Sequence, residues 1–588
     1  MYLRYAVRKK DGKVHKYWKL VRSVRIGKKV RQEVVAHLGE LDAKGRLRAT
    51  ELARRLNGHC EQPGLFDPPL KQDVAEINLK GVRLERVRGF GAVWLGCKLW
   101  RMAKFDEFFE AHLPPGSEDV PWSVMAKLMA VARLCAPSSE LNIAEDWLRK
   151  TALADILGID ETKINEDRLY RGLDKVLPLK GELEAHIRKQ WEGLFEIKYD
   201  LLLYDITSTY FEGKMESNPQ ALRGHSRDHR SDCKQVCIGL VVTRDGIPLG
   251  YEVFPGNLHD SKTVRSTVEA IESRYGRADR VWVMDRGMVS DETLNWMRAG
   301  GRRYLVGLPK SELKKHAAEL AEPGGWKEVR GGVVVRYAAG SAEGDQILLC
   351  RSDDRREKET AMQDLFAGRI EEALGKLQRR CRAAAQPLSL DKIQRQIGRL
   401  LQRNQRAARC FEIRCVAAPG LPSGVSVEWR KDETEQSFRE ISHGCYALCT
   451  NVRDWSEEEV WKTYIQLTQV ESAFRTHKSD LDIRPIWHHR EDRARAHIFI
   501  CFLAYVLWKL LEQWQKRAGL GDSPRTIMEE LGHIHSGDIV LPTTSGEKIR
   551  LRSIVSPEKA QKFILGRLGI ELPKRMRIPD LAKCSDDF

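Results

Sequence analysis

Leu201-Leu202-Leu203-Tyr204-Asp205 is an apolar run closed by an acid, and Val281-Trp282-Val283-Met284-Asp285 repeats the pattern 80 residues later (285 − 205 = 80). Each reads as a short buried strand. Between them, residues 236–243 give a second strand, Asp245-Gly246 a turn, and Pro248 to Phe254 a third strand. Residues 261–275 follow as a helix capped by Ser261 or Asp260, and another helix runs from about Asp291 to Ala299. The order strand, strand, strand, helix, strand, helix predicts an α/β core. If the strands of Asp205 and Asp285 pair in one sheet, both acids emerge at the same edge. Two carboxylates at close range repel unless a cation lies between them, and hard oxygen ligands favour Mg²⁺ or Mn²⁺. Aspartates that merely cap turns at strand ends are the other reading.

A third acid comes from a different element. Residues 456–478 read as one helix beginning near Ser456, with Glu457, Glu458 and Glu459 in a first turn where negative charge suits the helix dipole. Tyr464, Glu471 and Lys478 are spaced by seven, close to two turns each, and so share a face. That face offers a metal-ligating acid, a phosphate-binding cation and an aromatic edge; an ordinary polar helix face fits the same spacing.

Composition narrows the class of partner. The 588 residues exceed one ordinary core and predict three or more domains. A formal charge of +16 favours a polyanion such as DNA or RNA. Residues 1–50 hold 15 Lys or Arg and 4 Asp or Glu, a net of 15 − 4 = +11. Apolar and basic residues alternate there as short strands with Tyr2, Tyr5, Tyr17 and Trp18, turning at Asp11-Gly12 and Gly27. Such strands suit a phosphate backbone, or form a small solvated sheet. The longest apolar run, Ile498 to Leu511, has about 14 residues where a membrane span needs about 20, so it reads as a buried helix. No signal-peptide core is evident. Thirteen cysteines lack any Cys-x-x-Cys pair, which fits a reducing cytoplasm. His225, His229, Cys233 and Cys237 recur every four residues and invite a zinc reading. Cys237 opens a strand-like run, however, and one helix face cannot wrap four ligands around one ion.

These residues together carry a resemblance. Asp205-Ile206-Thr207-Ser208-Thr209, the run Gly246 to Asn257 followed by Asp260, Asp285-Arg286-Gly287-Met288, the trio Tyr464, Glu471 and Lys478, and Arg484-Pro485-Ile486-Trp487-His488 leading into Arg495-Ala496-His497 resemble the insertion-sequence DDE transposases. The similarity is to the subgroup with a β-strand insertion before the catalytic Glu and a Tyr-Arg-Glu-Lys signature. It spans nearly the whole chain, including Leu38-Gly39-Glu40-Leu41 near the basic start. One position departs: the signature's Arg is Leu467 here, which cannot make a bidentate phosphate contact. Arg475, one turn beyond Glu471, is the candidate substitute.

The resemblance implies an α/β fold: a ribonuclease H-like core interrupted by a β-rich and helical insertion, with an N-terminal basic strand region and a helical accessory domain. It implies Asp205, Asp285 and Glu471 as catalytic metal ligands for two Mg²⁺ ions, with Mn²⁺ as a substitute. DNA contacts are expected from Tyr464, Lys478, Tyr446, Arg475, His488 and Arg495, with Tyr446 either stacking on a flipped base or packing in the inserted sheet. The expected divisions are 1–85 (basic, DNA-binding), 86–196 (helical, accessory or dimerisation), 197–307 (first part of the core), 308–450 (insertion), 451–515 (core with the Glu helix) and 516–588 (C-terminal). Within the insertion, Val333–Tyr337 and Ile347–Cys350 read as strands. Met362 to Ala407 reads as a long basic helical hairpin, either a solvated arm or a contact for DNA or a second subunit. The implied function is metal-dependent cleavage and strand transfer at the terminal inverted repeats of an insertion sequence. The expected partners are transposon ends, target DNA and a second copy of the chain, with no membrane, in a cytoplasmic, nucleoid-associated setting. A catalytically unused, transposase-derived DNA-binding protein is the competing class.

Overall fold

The structure is a computed structural model, and it describes residues 1–10, 13–26, 29–55, 75–195, 199–277, 279–288, 290–339, 344–544 and 546–576. The chain divides into two compact units, Met1–Asn78 with Thr543–Glu547, and Leu79–Pro542 with Lys548–Phe588.

The first unit holds β1 (Tyr2–Lys10), β2 (Lys13–Ile26) and β3 (Lys29–Glu40), an antiparallel sheet in that order, followed by the helix Ala43–Arg55. The predicted turn residues Asp11, Gly12 and Gly27 lie outside the described residues. Leu20 and Val21 are buried, while Tyr2, Tyr5 and Tyr17 stay exposed. The Tyr5 and Trp18 rings sit 4.9 Å apart, and Lys16 lies 5.1 Å over the Tyr5 ring.

The second unit is built on one nine-stranded sheet. After β4 (Arg83–Gly89), which belongs elsewhere, come β5 (Leu201–Tyr210), β6 (Gln235–Thr243), β7 (Pro248–Pro255), β8 (Val281–Met284) and β9 (Arg303–Gly307). Their order is β9-β8-β5-β6-β7, with β6 antiparallel to the central β5, β7 antiparallel to β6, and β8 and β9 parallel to β5. A central strand with an antiparallel meander on one side and parallel crossover strands on the other is a ribonuclease H-like core. Helices Val264–Tyr275 and Asp291–Ala299 supply the crossovers. The cap of the first differs from expectation. A short 3₁₀ turn, Asp260–Lys262, comes first; His259 caps it by accepting from the Ser261 N–H, and this delays the helix to Val264.

The insertion does not stand apart from this sheet. Strands β10 (Lys327–Arg330), β11 (Val333–Tyr337) and β12 (Gln346–Ser352) extend it at the β9 edge. After β13 (Phe411–Ala417) and β14 (Val425–Lys431) in the helical arm, β15 (Cys445–Thr450) returns to pair antiparallel with both β9 and β12. The expected helical hairpin is longer than its sequence limits, with helices Asp353–Ala383 and Leu390–Arg403. It buries Ile370, Leu374 and Ile397 against Phe411, Val425 and Val427 of the β13–β14 hairpin, a small core of its own. Residues 91–195 are helical as expected. Strands β16 (His535–Pro542) and β17 (Lys548–Ile554) form a hairpin, which takes β4 as a third strand. Helix Glu491–Arg517 is apolar and long enough to cross a membrane by composition, but 94% of its apolar window is buried in the protein. It is the core helix expected from Ile498 to Leu511.

Candidate active site

The register of β5 against β8 fixes two acids. Tyr204 pairs with Met284, so Asp205 lies beside Asp285, the residue that follows β8; the strand of Asp205 does not end there as expected but runs on to Tyr210, paired with β6. Asp205 is half-buried, and its Oδ1 accepts from the Ile206 N–H at 2.7 Å. Glu471 lies in the first turn of helix Thr468–Ser479 and reaches the same place. All three line a cleft of about 440 Å³, and all three also line the cleft adjoining it, so they stand where the two meet.

None of the three is ion-paired to Lys or Arg among the described residues. Burial, with the neighbouring Asp285 and Glu471 carboxylates, pushes the Asp205 carboxyl up to about 7. Hard oxygen donors lacking a protein cation are a donor set that suits a divalent metal. The three carboxylates are not packed tightly enough for one oxygen of each to lie within 4.8 Å of the others.

Tyr464 donates to Asp285 Oδ1 at 3.1 Å. Its approach depends on Gly307, where a Cβ would collide with the Tyr464 hydroxyl and come within 3.3 Å of the Arg286 nitrogen. Burial, then the Asp285 charge, raises the phenol well above its ordinary value, so it remains a donor. The single helix expected over 456–478 is two helices, Glu457–Ile465 and Thr468–Ser479. The first starts as predicted, with Ser456 and Glu459 forming a capping box. The join is a tight turn at Gln466–Leu467, with Gln469 N–H bonded to the Gln466 carbonyl at 2.8 Å. Leu467 at this turn is buried in the main core, which is why an apolar residue suits the place where the signature has Arg.

The two clefts differ in their walls. One carries Arg286, Lys310, Arg355, Glu359, Tyr446 and Tyr464. The other carries Arg227, Asp260, Met288, Phe474, Arg475 and Lys478. In the second, Arg227 pairs with Asp260 at 2.5 Å. Lys478 binds the buried Asp228 at 2.7 Å, and Arg484 shares the same oxygen. Burial lowers the Lys478 ammonium, against the opposing pull of Asp228. Arg475 is exposed and has no ion pair among the described residues. A carboxylate cluster between basic walls suits a phosphodiester backbone and its cutting.

Residues 198–507 match the family described as Transposase DDE domain, and residues 3–68 match the IS1634 family transposase N-terminal domain. The chain belongs to the DDE transposases. Among solved structures, the transposase is similar to the piggyBac transposase synaptic complex with hairpin DNA at 8% identity, covering 78% of this chain and 82% of that one, with a TM-score of 0.36. It is similar to the Mos1 transposase paired-end complex with left transposon end at 12% identity, covering 32% and 59%, with a TM-score of 0.14. No curated protein matches. Membership makes the transposase an insertion-sequence enzyme that cleaves DNA and depends on divalent metal.

The remaining candidate residues scatter. Tyr446 on β15 lines the first cleft; the Arg355 guanidinium lies 4.7 Å over its ring, and Trp461 Nε1 donates to its hydroxyl at 2.7 Å. His488 is not in either cleft. It is buried, with Nε2 3.3 Å from Glu140. Arg495 also lies outside both, bonded to Gln220 at 3.2 Å and to Glu491 at 3.3 Å. The spacing of His225, His229, Cys233 and Cys237 does not make a cluster among the described residues. Cys237 is inside β6, while Cys233 meets Arg230 at 2.8 Å. Sequence reasoning missed Gly307, Asp228, Lys310 and Arg355. None carries a spacing signal; each acts through a partner far along the chain.

Proposed function

We propose that Asp205, Asp285 and Glu471 are the metal ligands of this transposase and hold two Mg²⁺ ions, replaceable by Mn²⁺. Two such ions activate the attacking oxygen and stabilise the leaving oxygen in phosphoryl transfer. The register that sets Asp205 beside Asp285 carries this reading. In it, Tyr464 holds the Asp285 carboxylate through the 3.1 Å hydrogen bond, and the basic walls of the two clefts grip the strand on either side of the scissile bond. Arg475 is positioned for the phosphate contact that Leu467 cannot make, and Lys478 serves once released from Asp228 or else fixes the Asp228–Arg484 cluster. Tyr446 and Arg355 offer a platform for an unstacked base. His488 and Arg495 act as structural residues rather than phosphate contacts, since both are paired within the protein.

In the same proposal, region 1–85 binds the terminal inverted repeats, 197–307 and 451–515 form the catalytic core, and 308–450 extends it. Regions 86–196 and 516–588 support these. Two ends must be cut in one complex, so a homodimer assembles on DNA. An excision assay with matched terminal repeats in Mg²⁺ tests the ligand assignment. Asp205→Asn, Asp285→Asn and Glu471→Gln each abolish nicking but retain end binding. Wild-type activity in any one of them removes that residue from the set.

A further inference from the structure

The helical arm of the insertion changes the sign of its charge part-way along. Residues 353–372 hold 4 Lys or Arg and 7 Asp or Glu, a net of 4 − 7 = −3. Residues 376–409 hold 10 Lys or Arg and 1 Asp, a net of 10 − 1 = +9. Residues 1–50 carry +11, so everything outside these two basic stretches sums to 16 − 11 − 9 = −4. The excess charge of the chain is concentrated at two places, and one of them is this arm.

The arm is fixed at its root, where Glu359 accepts from Lys310 Nζ at 2.6 Å and from the Gly444 N–H at 3.0 Å. Arg355 and Glu359 line the first catalytic cleft there. From Arg355, helix Asp353–Ala383 carries Lys376, Arg379, Arg380 and Arg382 outward by about 30–40 Å at ~1.5 Å per residue, close to the ~34–36 Å of one duplex turn. The chain then returns. Arg406 Nη1 sits 3.1 Å from the Met362 sulfur, back near the root. On the returning helix Leu390–Arg403, Lys392, Arg395, Arg399 and Arg403 stand one per turn and are exposed, while Ile393 and Ile397 turn into the arm's own core. All the cations of residues 376–409 are exposed. Lys376 pairs with Glu372; none of the others meets a carboxylate among the described residues. Like charges one turn apart destabilise a helix, and a face that only meets water mixes its signs, as residues 353–372 do. An unmixed track of cations, running from the arm's tip back toward the cleft, fits a regular polyanion.

We propose that this track holds the target duplex by its phosphates and leads it to the cleft. The proposal rests on the reading of the chain as an enzyme that joins cut ends to a target. Lys and Arg on phosphates carry no sequence information, so the track cannot tell one duplex from another. That suits the partner that changes from one event to the next, the target, and not the ends, which are the same each time.

The test compares the full-length parent with a variant combining Lys392→Ala, Arg395→Ala, Arg399→Ala and Arg403→Ala. Alanine preserves helix propensity, and circular dichroism checks the fold. Arg379→Ala, Arg380→Ala and Arg382→Ala on the outgoing helix form a second set, which carries the test if the first does not fold. Each protein is loaded with pre-cut ends and offered a labelled duplex of unrelated sequence. Affinity for that duplex, read by gel shift, is expected to fall at least tenfold, with end affinity and nicking of the ends within about twofold of the parent. The salt slope of target capture should fall by about 0.9 for each phosphate released. Gel shift needs no cutting, so failure of the metal-ligand assignment leaves this test intact. Unchanged target affinity in a folded variant overturns the proposal. Equal loss of end binding overturns it in favour of the ends. Loss of the paired-protomer complex with target affinity kept overturns it in favour of a subunit contact.

Discussion

Strand β5 and strand β1 treat their surroundings in opposite ways. Along β5 every side chain is buried except Asp205 and Tyr210, which are half-buried. Along β1, Tyr2, Tyr5 and Val7 are exposed and are interleaved with Arg4. The first arrangement closes a strand around a single acid, so its share of the proposed three-acid site hangs on one side chain. The second leaves apolar and basic surface uncovered, so the DNA binding proposed for it would be spread over many side chains, each worth little. Point substitutions are therefore expected to be all-or-none in the central sheet and graded in the N-terminal one.

The sharpest way to break that contrast is Asp205→Asn. Its cleavage rate is expected to fall about 10³-fold or more, with gel-shift affinity for the ends unchanged; equal losses in both assays would merge the two regions' roles. Next comes Gly307→Ala, which pushes Tyr464 off Asp285. Displacement of that order costs up to about 10²-fold in turnover, measured on pre-nicked and intact ends alike, while Tyr464→Phe gives a similar or smaller loss. In the N-terminal sheet, changing Arg4, Lys16 and Arg31 together to Ala is expected to flatten the salt dependence of binding. The slope should fall by about 0.9 for each phosphate that is no longer neutralised, and cutting of saturated complexes should continue at the parental rate. The smallest effect is on stability. Because folding raises the Asp205 carboxyl from its usual range to about 7, the folded state binds the extra proton. Its penalty is absent below about pH 4, grows between the unfolded value and about 7, and is fully present above that. Asp205→Asn should therefore melt a few degrees above wild type at pH 8 without metal, and level with it at pH 4. A difference independent of pH would show that charge burial is not its source.

Much of this was legible in the residues, where the signal is local. Apolar runs closed by acids located β5 and β8, and the order of elements through Ala299 followed from turn and strand patterns. Ser456 announced its helix by its capping box. The rest depended on partners remote in sequence. Nothing near Gln466–Leu467 breaks a helix; the turn there is compatible with burying Leu467 in a core formed by other segments. The strands at 333–337 and 347–350 were readable as strands, but Leu348 pairs with Leu448, 100 residues on (448 − 348 = 100), so their membership of the core sheet was not. The β13–β14 hairpin went unread beside the helical run that it packs on. The burial of His488 was not legible either, because its partner, Glu140, lies 348 residues away (488 − 140 = 348).

The position of Glu471, 186 residues after Asp285 (471 − 285 = 186), has a consequence for the timing of synthesis. At about 5–20 residues per second, a ribosome takes roughly 10–40 s to travel between them. Throughout that interval the growing chain holds two of the three proposed ligands, and for most of it lacks β15, the strand that joins the insertion to β9. An emerging fragment therefore carries the basic N-terminal sheet before it has all three proposed ligands. If that sheet is the end-binding region proposed above, binding precedes cutting by construction, and a prematurely terminated chain is an occupant of the ends rather than a nuclease.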